Sequence, residues 1–215
     1  MTGAHRCHGS GPARTDTVVA VARIAYLGPE GTFTESALLR MSANGAIPGD
    51  GQTALIPTES TPAALEAVRA GAADYACVPI ENSIEGSVLP TLDSLAAASP
   101  LQLYGELTLD VAFSIVVRPG TKPGQIHTLA AFPVAAAQVR RWLTEHLPNV
   151  AVLPANSNAA AAREVADGRC DAGVSTPLAA LRYGLATLAE GVVDEPNART
   201  RFVLVGRPGV PPART

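Results

Sequence analysis

Short apolar runs alternating with capped helical segments constrain this chain more than any other feature. A run at residues 23–27 is followed by Thr32-Phe-Thr-Glu35, a capping box that opens a helix with Ala37, Leu38 and Met41 on one face. Thr61-Pro62 opens a second helix that Gly71 stops, and residues 75–80 read as a buried strand. Residues 87–98 read as helix, and near Leu101 the character changes to longer strands over 101–118. Then follow a helix over 135–146 carrying Trp142, a strand at 150–153, a helix at 159–166 and a strand at 171–175. A helix at 177–183 and a final strand at 200–205 close the pattern. Such alternation predicts an α/β fold with a mainly parallel sheet. Residues 1–22 are polar and read as a mobile tail, and the Pro/Gly-rich stretch from residue 208 to Thr215 reads as a linker leading into something further.

Composition narrows the partners. Hydrophobic residues make up 47% of the 215 and charged residues only 16%, enough apolar surface for a folded core. Sixteen Lys and Arg against nineteen Asp and Glu give a net charge of −3, without a basic run. Together with 4% aromatic residues this argues against nucleic acid as a partner. No apolar stretch is long enough for a membrane span. Cys7, Cys77 and Cys170 are widely spaced and odd in number, which disfavours a disulfide framework or structural zinc and fits a reducing cytoplasm. His5, Cys7 and His8 are potential ligands, but on a floppy tail they lack the supporting groups that a metal site needs.

Three segments are dense in chemistry. Gly28-Pro-Glu-Gly-Thr-Phe-Thr-Glu35 follows a strand and opens a helix, so its free amides suit either a small anion or an ordinary turn. It is neither a Walker loop nor a dinucleotide fingerprint. Pro79-Ile-Glu-Asn-Ser-Ile-Glu-Gly-Ser87 follows a buried strand, where ligands of α/β sheets collect, and is otherwise a solvated turn. Asn197-Ala-Arg-Thr-Arg-Phe202 sets two guanidinium groups around a Thr, as a dicarboxylate site would, or as a solvated strand edge would.

In this order the three segments resemble the prephenate dehydratase family, whose G-P-x-G-T-(F/Y), P-(I/L)-E-N-(S/T) and T-R-F motifs all stand here. The Ala137-Gln138…Trp142-Leu143 helix and the Tyr183-Gly184-Leu185 stop agree, and the similarity runs from about Arg23 to Arg207. It implies a two-lobed α/β fold of the type II periplasmic-binding-protein kind, with mixed sheets and a cleft between the lobes. Lobe one is expected over residues 23–100 plus 197–207, and lobe two over 101–196. The implied reaction is decarboxylating dehydration of prephenate to phenylpyruvate, without cofactor or metal, in a cytoplasmic homodimer or higher homo-oligomer.

The resemblance also implies roles. Thr200 is the proton donor, with Glu81 and Asn82 as further catalytic residues. Gly31, Thr32, Ser83, Gln138, Arg199, Arg201 and Phe202 are the expected substrate contacts, the two Arg compensating substrate charge and the Gly28–Thr32 turn presenting amides to a carboxylate. One departure is Ala131-Phe-Pro-Val134, where the family commonly has Ser-His-Pro-Gln, which leaves Gln138 as lobe two's best polar candidate. Many members continue into a regulatory ACT-type domain that binds phenylalanine. Arogenate dehydration is the close rival, differing by an amine in place of a keto group. A two-lobed binding module without turnover is the rival from another class, disfavoured by the retained Thr200.

Overall fold

A computed structural model describes residues 21–48 and 53–209. The first sheet contains β1 (Ala22–Leu27), β2 (Thr53–Thr58), β3 (Tyr75–Asn82), β4 (Gly86–Ser87), β5 (Gln102–Asp110) and the last strand, Arg199–Gly206, numbered β11 below. Its order is β2-β1-β3-β11-β5, with β4 paired to β3. Helices α1 (Phe33–Ala43), α2 (Thr61–Arg69) and α3 (Leu89–Ala97) connect these strands.

The second sheet contains β6 (Phe113–Val117), β7 (Thr128–Ala131), β8 (Ala151–Pro154), β9 (Ala172–Ser175) and β10 (Ala186–Val192), in the order β10-β6-β9-β7-β8. Helices α4 (Pro133–Gln138), α5 (Arg140–His146), α6 (Asn158–Ala166) and α7 (Pro177–Arg182) belong to it. β11 completes the chain's return to the first sheet. His5, Cys7 and His8, and the expected terminal tail up to residue 20, lie outside the described residues.

Both sheets are mixed, as the resemblance implied, rather than mainly parallel as the strand–helix alternation alone suggested. β1 pairs in parallel with β2 and β3, whereas β11 runs antiparallel between β3 and β5. In the second sheet β7 is parallel to β8 and β9, and β6 is antiparallel to β9 and β10. Apart from the short β4, the antiparallel members are the strands next to the crossings between lobes.

Strand β5 moves the expected lobe boundary. It pairs with β11 along its whole length, from Arg199↔Asp110 to Gly206↔Gln102, and so belongs to lobe one. The chain crosses over only at Val111, whose amide donates to Ala198 O of the return crossing at 2.7 Å. The change of character near Leu101 marks the start of a sheet strand, not the change of lobe.

The single helix expected over 135–146 is two. Asp194 inserts into the hydrogen-bond ladder at Val139. Its amide takes the Gln138 carbonyl at 2.7 Å, and its carboxylate accepts from the Arg141 amide at 2.8 Å. A carboxylate at the new helix start satisfies amides that the break would orphan. Strands β2, β4, β7 and β10 were not anticipated.

Candidate active site

A cleft of about 660 Å³ lies between the lobes, of the size that holds a small metabolite. Lobe one contributes Thr32, Phe33 and Thr34 from the start of α1, Pro57, Thr58 and Glu59 after β2, Pro79 from β3, and Thr200 and Phe202 from β11. Lobe two contributes Phe132, Asn156, Ser157, Asn158 and Ala160.

Two helices from opposite lobes begin at this cleft. In α1 the Thr32 hydroxyl accepts from the Glu35 amide at 3.3 Å, leaving the Phe33 and Thr34 amides with no acceptor within the helix. In α6 the Ser157 hydroxyl accepts from the Ala160 amide at 3.0 Å, leaving those of Asn158 and Ala159 likewise. Each terminus therefore carries partial positive charge toward the cleft. The buried Asn158 Oδ1, on the same wall, has no partner in the protein. Among the described residues the cleft is lined by no Lys, Arg or His, and by a single ionisable side chain, the exposed Glu59.

At the floor, Thr200 is 7% exposed, and its Oγ1 accepts from Asn82 Nδ2 at 2.9 Å. The Asn82 amide is oriented by its other end, because Oδ1 accepts from the Ile84 and Glu85 amides at 2.9 and 3.1 Å. Asn82 must therefore donate to Thr200, which frees the Thr200 proton to point into the cleft. Phe202 lies beside it, both part of the core and part of the cleft wall.

Strand geometry separates the rest of the expected set from this cleft. Side chains alternate along β11, so Arg199 and Arg201 leave from the face opposite Thr200 and Phe202. Arg201 pairs with Glu81 at 3.2 Å and Glu106 at 3.8 Å, and Arg199 pairs with Asp110 at 2.9 Å. Glu81 is thus an exposed partner of Arg201 and not a buried cleft acid. Ser83 is also a tie rather than a cleft group: its hydroxyl accepts the Arg199 amide at 2.8 Å.

Gly31 has no free amide, since it donates to Glu35 Oε2 at 2.5 Å. Gln138 lines a neighbouring cavity of about 530 Å³ with Ile84, Arg141 and Asp194, its Oε1 buried and unpartnered. Sequence reasoning missed Asn158 and Glu59. The Ser157 cap was a readable pointer to the α6 start, but nothing local marked Glu59.

Other reactive groups near the site are quiet. Burial pushes the Cys77 thiol up to about 12, and burial with the nearby Glu35 carboxylate raises the Tyr26 phenol well above its usual value. Neither is a usable acid or nucleophile near neutral pH.

A family model for prephenate dehydratase matches residues 24–209, nearly all of the described chain. The chain belongs to the prephenate dehydratase family. It is 72% identical over 197 residues to a prephenate dehydratase of Mycobacterium sp. (strain KMS), covering 90% of this chain and 62% of that protein. It is 69% identical over 199 residues to the prephenate dehydratase of Mycobacterium leprae (strain Br4923), covering 92% and 62%. The crystal structure of a prephenate dehydratase from Arthrobacter aurescens in complex with L-Phe superposes with a TM-score of 0.79 at 43% identity, covering 90% of this chain and 62% of that one. The chain therefore spans about 62% of the length of these curated relatives.

Proposed function

We propose that this chain carries the catalytic cleft of a prephenate dehydratase, converting prephenate to phenylpyruvate, carbon dioxide and water. The observation that carries the reading is the Asn82–Thr200 pair, in which Asn82 donates to Thr200 and leaves its hydroxyl proton free to serve a cleft flanked by two helix N-termini. Prephenate is a dianion. One carboxylate rests at the α1 amides and the other at those of α6, held by peptide dipoles from both lobes.

The absence of a guanidinium among the described lining residues suits the chemistry. The ring carboxylate must lose its charge as carbon dioxide, and an ion pair to Arg would stabilise the ground state more than the transition state. As the ring–carboxylate bond breaks, its electron pair enters the ring. The ring carbon–oxygen bond breaks on the far side, and the departing hydroxide takes the Thr200 proton to leave as water, with solvent restoring the proton to Thr200. A hydroxyl is a weak acid, so its contribution depends on alignment by Asn82 and on a leaving group that gains basicity as the bond breaks. Phe202 and Phe132 supply apolar walls that accept the aromatic product.

Absorbance of phenylpyruvate formed from prephenate tests the reading, with arogenate run in parallel. Turnover of prephenate, ahead of arogenate, is the expected result. Tight binding of prephenate without product would place the chain among binding modules and overturn the proposal.

A further inference from the structure

The turn that opens α1 is fastened to the opposite lobe by contacts that reach no cleft atom. Glu35 is wholly buried. One of its carboxylate oxygens accepts from the Gly31 amide, and the other accepts from the guanidinium of Arg182, the last residue of α7 in lobe two. Arg182 also approaches Glu30 at 3.5 Å. The buried Thr176 hydroxyl crosses in the other direction and donates to Gly31 O at 2.6 Å. Gly31 itself has φ +88°, and a Cβ there would sit 2.9 Å from the Ala179 Cβ and 3.5 Å from that of Ala159. Backbone of lobe one thus lies directly on α6 and α7 of lobe two, a fit open only to glycine. Nearby, Phe33 meets Phe113 of β6 edge-on at 5.6 Å between ring centres.

We propose that Glu35 and Arg182 are positioning residues: together they latch the lobes at the separation that sets the two cleft-facing helix N-termini the right distance apart for one substrate. The latch and the cleft share the same turn, because Thr32, between Gly31 and Phe33, caps α1 and lines the cavity. Both contacts end on the buried Glu35 carboxylate, so the latch is shielded from water at that end. Without Arg182 the Glu35 charge would stay buried with a single amide for compensation, and the contact would open to hydrate it. Substrate would then have to draw the lobes together, and its apparent affinity would fall by the fraction of molecules already closed. This proposal rests on the prephenate reading for its kinetic consequence, but not for its structural one.

The test is Arg182→Ala, with Arg182→Lys and Glu35→Gln beside it, in the whole chain. In steady-state kinetics the KM for prephenate is expected to rise on the order of tenfold or more for Arg182→Ala, while kcat stays within about threefold. Arg182→Lys should recover part of the loss by keeping the charge. Small-angle scattering without ligand should show a larger radius of gyration for Arg182→Ala than for the parent, returning toward the parent value at saturating prephenate. Glu35→Gln keeps an acceptor for Gly31 while removing the buried charge, and serves if Arg182→Ala does not fold. An unchanged KM with unchanged scattering overturns the latch, and so does a loss confined to kcat. If the parent itself makes no phenylpyruvate, the functional reading fails, and scattering alone then decides whether the latch sets the separation.

Discussion

The two faces of the β3–β11 pair carry opposite chemistry. Toward the cleft stand Asn82, Thr200 and Phe202, an amide, a hydroxyl and a ring, all without charge. Away from it stand Glu81, Arg199 and Arg201, all charged and paired with neighbours in exposed positions. A motif such as Arg-Thr-Arg-Phe therefore contains two functions folded into one string. The period of a strand assigns alternate letters to alternate faces. The difference teaches that density of polar residues along a sequence is not density in space: only the uncharged face lines the cleft.

The sharpest way to break this comparison is Thr200→Val. The β-branched shape is kept and only the hydroxyl is lost, so the fold should hold. If Thr200 delivers the proton, kcat and kcat/KM should fall together by ~10²–10⁴-fold, with KM little changed. Thr200→Ser should retain much of the activity. Turnover by folded Thr200→Val within about threefold of the parent, well short of that general-acid range, would transfer the donor role to Glu59, the ionisable side chain that lines the cleft.

Asn82→Ala sharpens the same face. It removes the donor that orients the Thr200 hydroxyl and also the acceptor for the Ile84 and Glu85 amides. The hydroxyl can then point away from substrate, and kcat should drop by about tenfold, the scale of one hydrogen bond. An effect equal to that of Thr200→Val would mean that Asn82 touches substrate itself.

Part of this arrangement was legible in the sequence. The Thr32 cap, the buried run around Cys77 and the last strand were visible because caps and β-rich runs are local signals, although the Glu35 side chain reaches back to the Gly31 amide and not to that of Thr32, so the expected capping box is only half formed. Strand β7, Thr-Leu-Ala-Ala, was not, because its alanines are equally at home in a helix. β2 was hidden by Pro57, tolerated because β2 is, among the described residues, an edge strand with no neighbour on one side. The break at Val139 depends on Asp194, which is 55 positions away and carries no local mark. Likewise, the facing of two helix starts across the cleft is a fact of lobe packing. The motifs pointed to strands that border the cleft, but only the pleat shows which side of each faces it.

A third prediction leaves the cleft alone and tests a charge that serves the fold. The Asp171 carboxylate accepts from the His127 and Thr128 amides and from the Thr128 hydroxyl at 2.9–3.0 Å, pinning β7 to the turn before β9. The His127 amide, foremost among these, holds its pKa below the ordinary 3.8. A depressed carboxylate stabilises the fold above its unfolded pKa, and that stability is lost as pH falls through the folded value. Asp171→Asn should therefore lower stability by about 1 kcal/mol at neutral pH, with kcat unchanged. The gap to the parent should narrow as denaturation is followed below about pH 4. A gap that widens in acid would contradict the sign.

The smallest expected effect is the most direct check on the outward face. Arg201 and Glu81 form an exposed pair, with side chains 44% and 53% accessible. Exposed pairs contribute ~0.2–1 kcal/mol, because water screens the charges and ordering two long side chains costs entropy. Arg201→Ala should then destabilise the chain by no more than about 1 kcal/mol and leave kcat/KM for prephenate within about threefold. A double-mutant cycle with Glu81→Gln should return a coupling of the same small size, weakened further by added salt. Were Arg201 instead to hold a substrate carboxylate, its loss would raise KM strongly, and Arg201→Lys would recover little, since the planar fork would be gone. The two outcomes differ by more than an order of magnitude in KM, so ordinary steady-state kinetics separates them. A large KM effect from Arg201→Ala in a folded chain would mean that β11 turns its charged edge toward the ligand during turnover. The division of this strand into a chemical face and a structural face would then be wrong.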